Sequence, residues 1–371
     1  MIRTSREVPA VVAAPLARPL AFPEAAEKPF RLAWLHALSF GALLAGALFA
    51  ADAAITAGLR RIGTSAFGAT NRLVNGQIDA DIVVTGSSRA LVHYDPRAIQ
   101  AATGLRAYNL GRNGSQTDFQ LAVLKTYLRH NAKPRLVVHN LDLYAFVTTR
   151  EIYDPAQYRP YLHEPAIYAA VADTTRDAWK WKYLPLYGYV VPDLRFTWTL
   201  GVQRLLGREP AEDHIDGFVP RGLGWTDDFS NFRRQHPEGL ATPVEAEGVR
   251  DLADLLTACR AHEIPVLLVY SPEYFEIQPL QRNRRAIFAL FERLAQRFEA
   301  PLWDYSGSDI SRRRDYFYNS QHLNAEGAAV FSAALARRLV EAGFGAEPRA
   351  AQRDSRMSPV GGAPPRIVKQ P

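Results

Sequence analysis

Cysteine is almost missing from this sequence: Cys259 stands alone among 371 residues. That excludes an intrachain disulfide framework and a CxxC metal knuckle. There is no HExxH motif, no Walker loop and no His/Asp/Glu grouping at metal-ligand spacing, so neither a metal nor a cofactor is expected. Long basic runs are absent too. Lys and Arg number 44 against 38 Asp and Glu, a net charge of +6, and they are scattered along the chain. Nucleic acid is therefore not the expected partner. No internal repeat appears, which argues against a solenoid. Apolar residues make up 47% and charged residues 22%, so the chain is neither collagen-like nor wholly disordered. Its length allows one large domain with a sizeable core, or two small ones.

What the sequence does have, early on, is an uncharged apolar run. Residues 32–51 contain no Lys, Arg, Asp or Glu. As a helix rising about 1.5 Å per residue the run covers about 30 Å, a bilayer core. Trp34 lies near one edge, where an interfacial aromatic belongs. A cleaved leader is the alternative, because Ala51-Asp52-Ala53 resembles a small-x-small cleavage site. Leader cores are usually only about 7–15 residues long, so a retained anchor at 31–58 is expected. Arg3, Arg6, Arg18, Lys28 and Arg31 precede the run, and Arg60, Arg61 and Arg72 follow it. This bias favours a single-pass protein of the cytoplasmic membrane, its N-terminus cytoplasmic and its bulk periplasmic or extracellular. Residues 1–30 and 346–371 read as disordered tails, and 59–80 as a linker.

Between the tails, short apolar runs alternate with helical patterns. Strands are expected at 81–85, 105–110, 135–140, 265–270 and 301–304, and helices at 119–128, 249–261, 283–298 and 325–342. Such alternation implies a parallel sheet covered on both faces, hence an α/β domain over 81–345. In such sheets ligands sit at the carboxyl ends of the strands. Residues 147–242 break the rhythm and are dense in Tyr, Trp and Pro. They are too many for a βα loop and read as an inserted, mostly helical subdomain, either a structural cap or a sugar-stacking surface.

Three motifs carry chemistry. In Val84-Thr85-Gly86-Ser87-Ser88-Arg89 a strand runs into a Gly-Ser-Ser turn. A serine there is either a helix cap or an exposed nucleophile beside N–H groups suited to an oxyanion. In Asn319-Ser320-Gln321-His322-Leu323-Asn324-Ala325-Glu326-Gly327 a histidine stands on the loop before the last helix. It is either structural or a general base, and Asn319, three residues earlier, is within reach of its other ring nitrogen. In Tyr108-Asn109-Leu110-Gly111-Arg112-Asn113-Gly114-Ser115, Gly111 is either a plain turn residue or an oxyanion donor.

Taken in order, these blocks resemble the SGNH/GDSL hydrolase superfamily. That superfamily's Gly-Asp-Ser block maps onto Gly86-Ser87-Ser88 and points to Ser88 as nucleophile, with Ser87 in the Asp position. Its Asp-x-x-His block maps onto His322, followed by Leu323, Asn324 and Gly327. The resemblance covers roughly 81–146 and 245–342. It is nearest to membrane-anchored members, the teichoic-acid D-alanylation protein D family and the SGNH proteins of polysaccharide O-acetylation. It implies a three-layer α/β/α, flavodoxin-like fold. The implied chemistry is acyl transfer or hydrolysis on a cell-envelope polysaccharide by Ser88 and His322, with a multi-pass membrane acyltransferase as partner. Two departures stand out. Asn319 occupies the place of the acid, leaving Asp315 and Asp304 as alternative orienters. The Gly-x-Asn-Asp block is replaced by Asn140-Leu141-Asp142-Leu143-Tyr144, so Asn113 is the substitute oxyanion donor beside Gly111. These losses frame the alternative, a non-catalytic scaffold or glycan-binding subunit of a polysaccharide modification or export machine. Arg312-Arg313-Arg314 reads as a solvated face or a contact to an anionic glycan or headgroup.

Overall fold

The computed structural model describes residues 27–148, 151–190 and 195–345. The tails expected at 1–30 and 346–371 lie outside the described residues, except for 27–30, which begin a helix. The chain divides into two units, residues 1–50 and 51–371. Residues 32–50 of the helix Glu27–Leu59, in the first unit, are exposed, Leu43 and Phe40 most of all among the large apolar side chains. Its stretch Leu32–Leu59 is long and apolar enough to cross a membrane.

The second unit is built on five parallel strands: β1 (Ile82–Thr85), β2 (Ala107–Asn109), β3 (Leu136–Asn140), β4 (Val266–Tyr270) and β5 (Leu302–Asp304). Their order across the sheet is β2-β1-β3-β4-β5. β1, β3 and β4 are buried throughout, as strands covered on both faces must be. Successive side chains then serve opposite layers. Ile82, Val84, Leu136, Val138, Leu267 and Val269 pack with Ala90, Tyr94, Phe331 and Leu335 on one face. Val137, Leu268 and Tyr270 pack with Leu124, Leu252, Leu256 and Phe291 on the other. The result is a three-layer α/β/α domain. From β1 the chain crosses over through the helices Ser88–His93 and Pro96–Thr103 to β2. It returns to β3 through Thr117–His130 on the opposite face. Strand order therefore reverses between β1 and β3, and a crevice opens at their carboxyl ends.

The structure differs from the sequence reading in three places. The stretch 59–80 is no plain linker: Ser65–Val74 is a helix with Phe67 and Leu73 buried. The inserted segment is helical only in pieces, including Pro165–Thr174, Ala178–Tyr183 and Asp228–Gln235, with no helix over 206–227. Tyr158, Tyr161, Trp181 and Tyr189 from it pack on Ile55, Leu59 and Phe119, so part of its aromatic set is core. Finally, His322 is not on a loop. It opens β7 (His322–Leu323), which pairs antiparallel with β6 (Phe317–Asn319).

Candidate active site

The site begins with the turn after β1. Gly86 adopts φ +144°, and a Cβ there would sit 2.8 Å from Ala90 Cβ and 3.0 Å from Asn140 Cβ. Only glycine fits both the conformation and the space. The next residue caps the helix Ser88–His93, with Ser87 Oγ accepting the Arg89 N–H at 3.3 Å. The two serines thus divide the roles left open by the motif. Ser87 is the cap and Ser88 is the first helical residue.

Ser88 Oγ lies 2.8 Å from His322 Nε2, and His322 Nδ1 lies 2.9 Å from Asn319 Oδ1. The tautomer follows from the surroundings. Asn319 Oδ1 also accepts the backbone N–H groups of Gln321 and His322, each at 3.0 Å. An atom taking two backbone N–H bonds is the carbonyl oxygen, so Nδ1 must donate to it. Nε2 is then left bare to accept the Ser88 hydroxyl proton. Burial, reinforced by the charges of Arg89 and Arg221, pushes the His322 imidazole down to about 4, which keeps it neutral.

Two further rings hold His322. Tyr318 stacks on it at 5.3 Å, and His93 meets it edge-on at 6.2 Å. His93 is fully buried. It accepts the Leu323 N–H at Nε2 (3.0 Å), so its Nδ1 donates to Ser271 Oγ (2.9 Å). Burial holds its pKa well below the usual range. A neutral histidine therefore pins β7 to the helix that carries Ser88.

Arg89 and Asp142 complete the floor. Arg89 is buried, lies over the Tyr270 ring at 4.5 Å and donates to the carbonyl oxygens of Ser271 and Pro272. Asp142, on the loop after β3, stands 4.0 Å away. Burial raises the Asp142 pKa against the opposing pull of Arg89 and the Ser87 hydroxyl. A cavity of about 140 Å³ opens beside the nucleophile, lined among others by Ser88, Arg89, Gly114, Gln116, Asp142 and Gln321.

The other sequence candidates fall elsewhere. The Gly111 N–H is already committed to Asn109 Oδ1 at 2.8 Å. A Cβ at Gly111 would lie 2.4 Å from Leu91 N, so the glycine lets the β2 loop touch the helix Ser88–His93. Asn113 offers its carbonyl to Gln157 Nε2 and does not line the cavity. The residue missed in this block is its neighbour Gly114, at φ +63° on the cavity wall. Its signal was present as a second glycine three residues after Gly111. Asp315 pairs with Arg313, and Asp304 Oδ1 accepts the Ser306 N–H, so neither orients His322. In the basic run, Arg314 lies over Trp225 and Arg312 is exposed. Among the described residues, metal-type ligands come together at Glu212, Asp213 and His214. Asp213 there bonds His214, and Glu212 accepts the N–H groups of Ser65 and His214.

No protein-family model matches the chain, and neither does any curated protein. Solved structures similar to it include a GDSL-like lipase from Bacteroides thetaiotaomicron. It is 12% identical over 70% of this chain and 88% of that one, with a TM-score of 0.34. A catalytic mutant of an acetylxylan esterase from Geobacillus stearothermophilus is 10% identical over 72% and 96%, with a TM-score of 0.36.

Proposed function

We propose that the chain is a membrane-anchored, extracytoplasmic acyl-ester enzyme of SGNH type acting on a cell-envelope polysaccharide. The observation that supports this best is the continuous Ser88–His322–Asn319 relay, with its tautomer fixed by the Asn319 oxygen. Ser88 Oγ attacks the acyl carbonyl carbon while His322 Nε2 takes its proton. Ser88 and Gly114 both line the cavity, and their N–H groups are the candidate donors to the developing oxyanion. Collapse breaks the ester bond, and the leaving alkoxide takes the proton back from His322. A sugar hydroxyl or water then loses its proton to the same nitrogen, attacks the acyl-serine and restores Ser88. Asn319 orients the imidazole without lending it charge, so turnover is slower than with a carboxylate. A cavity of about 140 Å³ suits a short acyl group such as acetyl. The acyl donor, on the resemblance above, comes from a multi-pass membrane acyltransferase.

The test uses the full chain in detergent, treated with a fluorophosphonate and read by intact mass. One adduct is expected. It disappears in Ser88→Ala and His322→Ala and persists in Ser87→Ala. A folded wild type with no adduct would favour the non-catalytic scaffold. Retention of the chain in membranes washed with alkaline carbonate tests the anchor separately.

A further inference from the structure

A second cleft, of about 360 Å³, lies well apart from Ser88 in sequence and lining. Its walls include Asp52, Arg60, Arg159, His163, Lys182 and Tyr183. It is therefore shaped by the residues that directly follow the apolar run and by the inserted segment. Its size falls within the range of about 300–1,000 Å³ typical of small-ligand sites.

The charges in it do not balance. Arg159 is matched by Asp52 at 2.7 Å, and Asp52 Oδ1 also takes the Leu186 N–H. Arg60 and Lys182 have no carboxylate partner among the described residues. Arg60 spends its donors on the Pro160 carbonyl and on His163 Nδ1. Lys182 lies over the Tyr168 ring at 4.2 Å. The nearby carboxylate Glu164 is bonded to His130 and His163. Burial, aided by the charge of Arg159, holds the Arg60 guanidinium below its ordinary value, although Tyr189, Tyr161 and Glu164 pull the other way. Two half-buried cations thus face a cleft with no anion of their own.

The surroundings say which anion fits. Asp52, the first residue lining the cleft, directly follows Ala51, the last residue of the run read as a membrane span, so in sequence the cleft adjoins that run. Tyr183, on its wall, is 59% exposed, and its chain neighbours Trp179 and Leu184 are 49% and 40% exposed. Amphipathic rings beside basic groups are the composition of an interfacial belt. Guanidinium and ammonium groups together recognise phosphate oxygens. We infer that this cleft binds the phosphate headgroup of an anionic glycerophospholipid, with Arg60 and Lys182 on the phosphate and the exposed aromatics among the acyl chains. The site would set the height and tilt of the catalytic unit above the membrane.

The inference rests on the membrane reading of residues 32–51, and the two fail separately. A chain released by carbonate loses that reading and overturns the lipid assignment with it. For a retained chain, the purified full-length protein in a neutral detergent is titrated calorimetrically with dihexanoyl phosphatidylglycerol, dihexanoyl phosphatidylcholine and glycerol 3-phosphate. Phosphatidylglycerol should bind at least tenfold more tightly than the other two. Arg60→Gln/Lys182→Gln should weaken it at least tenfold, while Arg337→Gln on the far C-terminal helix should not. The double variant also loses the bond to Pro160, so Lys182→Gln alone, expected to weaken binding about threefold, guards against a folding defect. Equal binding of the two lipids, or a folded double variant that binds like wild type, overturns the inference. Glycerol 3-phosphate binding as tightly as phosphatidylglycerol would assign the cleft to a soluble phosphate and overturn the lipid assignment.

Discussion

Asn319→Asp is the substitution that probes the relay most directly. The aspartate oxygen keeps all three donors: Nδ1 of His322 at 2.9 Å and the N–H groups of Gln321 and His322 at 3.0 Å. Only a charge is added. A unit charge about 4 Å from the imidazolium, at an effective dielectric of about 20, contributes about 4 kcal/mol. That equals about 3 pKa units before the carboxylate's own burial is counted. If burial takes back half, His322 rises from about 4 to between about 5 and 6. The assay is the rate of fluorophosphonate labelling of Ser88 against pH. Protonated His322 cannot accept the serine proton, so labelling should fall as pH drops through the His322 pKa. The wild-type midpoint is expected near pH 4 and that of Asn319→Asp one to two units higher. The variant's plateau at neutral pH should be about tenfold faster, because a more basic imidazole takes the proton more readily. Asn319→Ala should label at least tenfold more slowly than wild type, its tautomer no longer fixed. A midpoint that does not move in Asn319→Asp would refute the reasoning, as would a wild-type midpoint at 6.5 or above.

Three further outcomes are expected. Gly111→Ala drives a Cβ to within 2.4 Å of Leu91 N and 2.9 Å of Ala90 C, both backbone atoms. It should cost at least about 2 kcal/mol in urea unfolding, and an unchanged midpoint would count against the close packing described. Arg89→Met leaves Asp142 buried without its cation and should cost about 3–5 kcal/mol, part of which Asp142→Asn in the same chain should restore. Asp251 is raised to about 7 by burial and by the charges of Asp118, Glu247 and Asp254. A carboxyl raised this way stabilises the fold below its unfolded pKa, and that contribution is lost as pH rises through about 7. Asp251→Asn should therefore raise the melting temperature at pH 8 and leave it unchanged at pH 4; the reverse pattern would show the sign to be wrong.

The sheet was readable because its central strands are buried on both faces. Runs such as Ile82-Val83-Val84 admit little but a covered strand, and Gly86 marks where the chain must turn. The helix Ser65–Val74 was not readable, since buried polar residues disguise it. Asn71 sits in the interior, donating to the carbonyls of Leu59, where the preceding helix ends, and of Ile62 just beyond, and in sequence it looks like linker. Nor could the aromatic segment be sorted from sequence. Tyr161 is fully buried and Tyr183 is 59% exposed, because a phenol ring suits a core, an interface or solvent. At the site, Ser88, His322 and Asn319 were nameable because each lies beside its strand end or within three residues of its partner. Whether the Gly111 N–H is free could not be read, because that depends on a side chain: Asn109 Oδ1 occupies it, while Gly114 lies on the cavity wall.

Ser88 and His322 are separated by 234 positions along the chain. The first strand and the last hairpin must therefore meet before the hydroxyl has a base. Without that hairpin the chain holds a serine with no imidazole beside it. Phe331 and Leu335 of the final helix share a core with Ala90 and Tyr94, so the two ends of the domain are packed together where the pair forms. The Ser88–His322 contact is thus one that only the completed domain can make. A chain truncated before β7 would lose His322 and the final helix, with its core residues Phe331 and Leu335, together.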